Sequence, residues 1–257
     1  MKNKIISTRT LSAPEVDLLS RLEFEGRGIV TRQDITDLCV DKKKAPYLIK
    51  KLLEKKRLRT IIKNVYLLVP MKAPPGQWAG NEYLIAKALA RGANYYVGYS
   101  SVFNSYGFTE QVSQMVHVVN DKYSLDKVIF GVRYKFIKTR TGRFYGLEKR
   151  TIQNEEVVFS DRERALIDLF EWYDTARASG VLREQLSRIN APLFIEYVAR
   201  YPVQAIRRRI GYFLARLGAD NKLLNKIEAG DKGYSPLYSG RSNRGSLDRR
   251  WRVIING

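Results

Sequence analysis

The chain has 257 residues, 44% hydrophobic and 11% aromatic, which suits one or two domains with buried cores and argues against wholesale disorder. Its longest apolar runs, such as Val65 to Val69, are far too short to span a bilayer, and the opening MKNKIISTRTLSAP has no apolar stretch of secretory length. A single cysteine, Cys39, rules out an intramolecular disulfide and agrees with the cytoplasm, while 46 basic against 26 acidic side chains give a net charge of +20 that favours a polyanionic partner.

That charge is spread along the chain. Residues 1–70 carry 16 basic and 8 acidic side chains, residues 71–160 carry 12 and 7, and residues 161–257 carry 18 and 11. No basic tail accounts for it.

Pro14 to Phe24, with Val16, Leu18, Leu19, Leu22 and Phe24, has a helix-like apolar pattern closed by Gly26 and Gly28. Ile29-Val30 predicts a short strand, and Thr31 an N-cap for a helix from Arg32 to Cys39. Asp41 caps a third predicted helix, Lys42 to about Lys56. Ala45, Leu48, Ile49 and Leu52 form its buried stripe; Lys43, Tyr47, Lys50 and Glu54 lie opposite, with Lys44, Lys51 and Lys55 along the flank. Pro46 falls in or near the first turn, where a missing N–H costs little. Leu58 to Ile62 and Val65 to Val69 read as a hairpin turned at Lys63-Asn64. Helix, helix, basic helix and hairpin is the order of a winged helix-turn-helix, whose third helix enters a major groove while the hairpin lies across the backbone.

Met71 to Trp78, with two adjacent prolines and a glycine, reads as a linker. Beyond it, helices are predicted at Asn81 to Arg91 and around Ser101 to Tyr106. Strands follow at Gln114 to Val119, Val128 to Lys138, Lys149 to Ile152 and Val157 to Phe159. Ser160-Asp161-Arg162-Glu163 reads as a capping box before an apolar helix through Leu166, Ile167, Leu169 and Phe170. Further helices cover Val181 to Ile189, Pro192 to Tyr201, Val203 to Leu217 and Asn221 to Glu228. The Val203 helix is expected to bury Val203, Ile206, Ile210, Phe213 and Leu217. RRWRVIIN closes the chain as a strand. The fold class expected is α+β: a winged helix-turn-helix over residues 1–70, a linker over 71–80, and a mixed α/β domain over 81–257 that ends in a bundle-like helical segment and a closing strand.

Little in the sequence points to catalysis. His117 is the only histidine and reads as a structural strand residue; Cys39 reads as a small core residue. Neither a Walker A loop nor a GxGxxG is present, and no metal or cofactor is expected. Arg140 and Arg143 suggest a second anion contact or a solvated turn.

The segment LLEKKRLRTIIKNVYLLVP resembles the winged-helix domain of the AbiEi antitoxins of AbiE type IV toxin–antitoxin systems. YYVGYSSVFNSYGFTEQV, VVFSDRERALIDLF, AIRRRIGYFLARLG and LDRRWRVIIN are similar to later segments of the same family. The resemblance implies a cytoplasmic autorepressor that binds promoter inverted repeats in double-stranded DNA. It also implies an antitoxin that counters a nucleotidyltransferase-like toxin in phage defence by abortive infection, without a stable complex. By position, DNA contact falls on Lys42, Lys43, Lys44, Tyr47, Lys50 and Lys51 of the third helix. Arg59, Lys63 and Asn64 of the wing join them, with Arg32 on phosphate. The alternative is a stand-alone winged-helix transcriptional regulator whose second domain senses a ligand or mediates assembly.

Overall fold

A computed structural model of the protein describes residues 10–256 and has an α+β fold. Contacts gather the chain into two compact units. The first holds the described residues up to Ala93 with Asp126–Tyr134 and Arg150–Val157; the second holds Asn94–Leu125, Lys135–Lys149 and the chain from Val158.

Helix α1 (Ala13–Phe24) starts where the Glu15 carboxylate accepts from the Ser12 amide at 2.6 Å, and it ends at Gly26 in the left-handed region. Strand β1 (Ile29–Thr31) leads into α2 (Arg32–Leu38), where Thr31 and Asp34 satisfy each other's backbone donors. One 3-10 turn, Lys42–Lys44, precedes α3 (Ala45–Glu54), and β2 (Leu58–Ile62) and β3 (Val65–Leu68) complete the motif. The three strands pair antiparallel in the order β1-β3-β2, the topology of a winged helix-turn-helix. Leu18, Leu19, Leu22, Val30, Ile35 and Leu52 form its centre.

Three local expectations need correction. Val16 and Phe24 are exposed, Phe24 at 94%, and Glu15 is buried in their helix instead, 2.5 Å from Lys55 Nζ. Burial pushes the Glu15 carboxyl up, but hydrogen bonds from Lys55 and Ser12 outweigh it and hold the group below its ordinary range. Leu48 is only partly buried, on the rim of an apolar hollow of about 420 Å³ lined also by Pro14, Leu38, Cys39 and Val40. Cys39 sits on that rim rather than in the core, and burial raises its thiol. The wing does turn at Lys63-Asn64 as expected, with Ile62 paired to Val65 and Asn64 at positive φ, and a register shift lies between Thr60 and Ile62. Urea unfolding should therefore separate two leucines of α3: Leu52→Ala is expected to lose ~2–5 kcal/mol, and Leu48→Ala only ~1 kcal/mol. Equal losses would contradict this assignment of the buried face.

The segment after the wing is held rather than loose. Arg57 Nη1 donates to the carbonyls of Pro70 (2.9 Å) and Ala73 (2.8 Å), and the Met71 amide donates to Glu23. Helix α4 (Glu82–Leu89) follows, capped by the Asn81 side chain.

Next come β4 (Tyr95–Val97), α5 (Ser100–Phe103), β5 (Met115–Asn120), β6 (Leu125–Ile129), β7 (Val132–Lys138), β8 (Leu147–Ile152) and β9 (Glu155–Ser160). The sheet order is β6-β7-β5-β4-β9-β8. Within it β4 runs antiparallel to β5 and parallel to β9. The single strand expected over Val128 to Lys138 is broken, because Phe130 and Gly131 both take positive φ and turn the chain into a hairpin. Gln153 and Asn154 turn the next hairpin in the same way, and their side chains fill the space where a Cβ on Gly28 or Gly26 would sit.

Helices α6 (Arg162–Trp172), α7 (Thr175–Gln185), α8 (Ala191–Arg200), α9 (Gln204–Arg216) and α10 (Asn221–Leu224) then pack together. They are followed by β10 (Ser235–Pro236), β11 (Ser246–Asp248) and β12 (Val253–Ile255), a small sheet in the order β10-β12-β11. Ser160 does not cap α6. It ends β9, and Asp161 does the capping through the Arg164 amide at 2.8 Å, while Glu163 accepts from the Asn190 amide. Helix α7 starts six residues before the expected Val181, and α10 stops at Leu224 rather than Glu228. In α9 the face differs too. Ile206 and Ile210 are buried as expected, but Val203, Phe213 and Leu217 are half-exposed, while Arg208, Arg209 and Tyr212 are buried.

Candidate nucleic-acid interface

The lysine ridge begins with Asp41, whose carboxylate accepts from the Lys43 amide at 3.0 Å and fixes the 3-10 turn. Ala45, Ile49 and Leu52 then seat α3 on the core. With that face fixed, helical geometry carries Lys43, Tyr47 and Lys50 to the opposite side, three to four residues apart. Lys42, Lys43, Lys44 and Lys50 are exposed, and Tyr47 is 61% exposed.

The charges on this face differ in how they are spent. Lys42 reaches Asp37 at 3.6 Å and Lys44 reaches Asp41 at 3.7 Å, both in well-solvated pairs of the kind worth little. Lys51 is half-exposed, pairs with Glu54 at 3.1 Å, and lies 5.6 Å from the Tyr47 ring centroid. Lys43 and Lys50 make no ion pair among the described residues. Arg32 is exposed at the start of α2, its amide bonded to the Asn64 carbonyl at 2.9 Å, so α2 and the tip of the wing are tied together. Lys63 is exposed beside half-exposed Asn64.

Arg59 stands apart from the others. Its Nη1 donates to the Trp78 carbonyl at 2.6 Å, its guanidinium lies 3.8 Å from the Phe130 ring centroid, and burial lowers its pKa. Those contacts draw it onto the fold instead of toward solvent.

The second unit has its own polar centre. Arg164 and Asp168 are both fully buried and pair at 3.0 Å, one helical turn apart on α6. The remaining donors of Arg164 go to the carbonyls of Arg143 (2.6 Å) and Tyr145 (3.3 Å) and to the Tyr96 hydroxyl (2.9 Å). Burial pushes the Asp168 carboxyl up while Arg164 pulls against it. Nearby, Glu171 accepts a fork from Arg143 and the hydroxyls of Tyr99 (2.8 Å) and Tyr201 (2.7 Å). Burial opposes ionisation of Glu171, but those donors prevail and lower its pKa. Arg143 is thus committed to Glu171 and does not serve as the second anion contact; Arg140 remains exposed. Sequence reasoning missed this centre, whose one signal is an oppositely charged i, i+4 pair inside an apolar helix. His117 is buried, its Nδ1 3.0 Å from Ser100 Oγ and its ring edge-on to Trp172 at 4.5 Å.

No family model and no curated protein matches the sequence. The chain is similar in structure to the Rv2827c protein of Mycobacterium tuberculosis, known from a crystal structure. The TM-score is 0.64 at 14% identity, over 96% of this chain and 92% of that one. At that identity the likeness concerns the fold. Among the described residues no helix is long and apolar enough to cross a membrane.

Proposed function

We propose that this protein is a cytoplasmic transcriptional autorepressor that binds inverted repeats in double-stranded DNA through its winged helix. We propose further that it is the antitoxin of an AbiE-like module, countering a nucleotidyltransferase-like toxin through the chain beyond the winged helix. The observation that carries the first part is the outward lysine face of the Lys42–Lys44 turn and α3, with Lys43 and Lys50 in no ion pair with a described carboxylate. Lysines set against phosphates release counterions, which gives affinity and register, while sequence choice needs contacts to base edges. Tyr47 and Asn64 are the polar groups beside the lysines for that purpose, so each half-site should be read modestly and the inverted repeat should supply the remainder. The second part rests on the resemblance of GFTEQV, RERALIDLF and the closing LDRRWRVIIN to AbiEi segments.

Fluorescence anisotropy with the duplex upstream of the protein's own reading frame tests the first part. Tighter binding to the inverted repeat than to a scrambled duplex is expected, and equal binding would remove the repressor. Co-expression with the adjacent reading frame tests the second: full-length protein should rescue growth from the toxin. Absence of a toxic neighbour would leave the stand-alone regulator.

A further inference from the structure

A basic stretch outside the winged helix lies near the C-terminus. Residues 232–252 hold six basic side chains and one acidic, Asp248. Asp248 is occupied by the Trp251 amide at 2.8 Å. None of the basic groups in this stretch, nor Arg207, Arg208 or Arg209 of α9, forms an ion pair among the described residues, in contrast to Lys51, Lys55, Lys87 and Arg143 elsewhere.

The fold holds this charge in place rather than leaving it loose. Arg208 is 3% exposed and donates to the carbonyls of Ala229 (2.7 Å) and Lys232 (2.7 Å) and to Ser235 Oγ (2.9 Å), pinning the loop that carries Lys232 and Tyr234. Arg252 donates to the Gly233 carbonyl at 3.1 Å, and its guanidinium lies 5.4 Å from the ring centroid of Tyr234, itself 38% exposed. Arg241 lies 4.9 Å from the Tyr238 ring in the same manner. Arginine forks alternate here with aromatic faces, and the loop between them exposes Ser239, Ser242, Asn243 and Ser246.

We propose that this face binds single-stranded RNA: the arginines and Lys232 hold phosphates, Tyr234 stacks on a base, and the exposed hydroxyl and amide groups meet 2′-hydroxyls. Guanidiniums without carboxylate partners call for an external anion, and forks match phosphate. Stacking on a tyrosine requires an unstacked base, which a duplex does not offer and a single strand does. Leu247, at 55% exposure, and Tyr234 are the exposed large hydrophobic side chains of this stretch, too little to seat the face in a lipid surface. The inference stands apart from the winged-helix reading, since it concerns other residues and another form of nucleic acid.

The test uses the full-length protein and labelled 20-nucleotide probes: an unstructured RNA, the DNA strand of the same sequence, and a duplex. Phosphatidylglycerol vesicles form a fourth arm. Lys232→Ala/Arg241→Ala/Arg244→Ala should weaken RNA binding about tenfold or more at ~0.1 M salt and leave duplex binding within about twofold. Tyr234→Ala should weaken RNA binding at least about fivefold, and Tyr234→Phe should retain it. RNA should be bound more tightly than the DNA strand. Unchanged RNA affinity in the triple variant, an equal drop for RNA and duplex, equal binding of the DNA strand, or binding of vesicles in place of RNA would each overturn the proposal. All four substituted side chains are exposed, so circular dichroism melts should match the parent protein.

Discussion

An Arg164→Met variant is expected to lose ~3–5 kcal/mol of stability, the range seen when one partner of a buried ion pair is removed. The side chain is fully buried and forms the hub of four contacts: Asp168, the Tyr96 hydroxyl and two backbone carbonyls. Methionine fills much of the volume but supplies no donor, so the Asp168 carboxylate would remain in an apolar interior without its counter-charge. Asp168 Oδ2 already has no hydrogen-bond partner, which leaves no second donor to take over. Pairing the change with Asp168→Leu removes the stranded charge. The double variant should therefore regain part of the loss, although the Tyr145 carbonyl loses its Arg164 donor and the Arg143 carbonyl keeps only the Tyr145 amide at 3.2 Å. Denaturant unfolding of the two singles and the double closes the cycle. A loss below ~1 kcal/mol for Arg164→Met would mean that the pair contributes nothing beyond its own desolvation.

The elements of the winged helix were legible because short-range rules decide them. Thr31 and Asp41 cap as their side chains dictate, and Ala45, Ile49 and Leu52 fall on one helical stripe. The same stripe over-reached at Leu48, since a period of 3.6 cannot say where a neighbouring helix stops covering it. Phe130 and Gly131 hid a hairpin inside an apparently continuous β-prone run, and only the glycine hinted at it. Ser160 and Glu163 had capping-box spacing, yet β9 claimed Ser160 and the amide of Asn190 claimed Glu163. Burial of Arg164 was illegible for a related reason. Charged residues read as solvent-facing unless their partners are known, and here the partners are carbonyls and hydroxyls distant in sequence. At the candidate interface the sequence placed Lys43 and Lys50 outward, as the structure has them. Arg59 reads as equally outward in the sequence, but its ties to the Trp78 carbonyl and the Phe130 ring come from segments 19 residues or more away.

Those two lysines carry the second large expected effect. Lys43→Ala/Lys50→Ala should weaken binding to the promoter duplex by roughly 30-fold near 0.15 M salt and make the log–log salt dependence shallower by about 1.8, if each neutralises one phosphate. Neither residue packs in the core, so the melting temperature should stay near that of the parent. Arg59→Ala is the informative contrast: it breaks an internal contact, so it should lower stability while leaving the salt slope unchanged. Unaltered affinity together with an unaltered slope in the lysine pair would place the duplex on another surface of the chain. A parent slope with weaker binding would mean that the lysines shape α3 without touching phosphate. The same variant also separates the two proposed activities in cells. If repression lies in the winged helix and toxin control in the remaining chain, the lysine pair should lose repression of its own promoter and still protect against the toxin. Loss of both would tie toxin control to DNA binding.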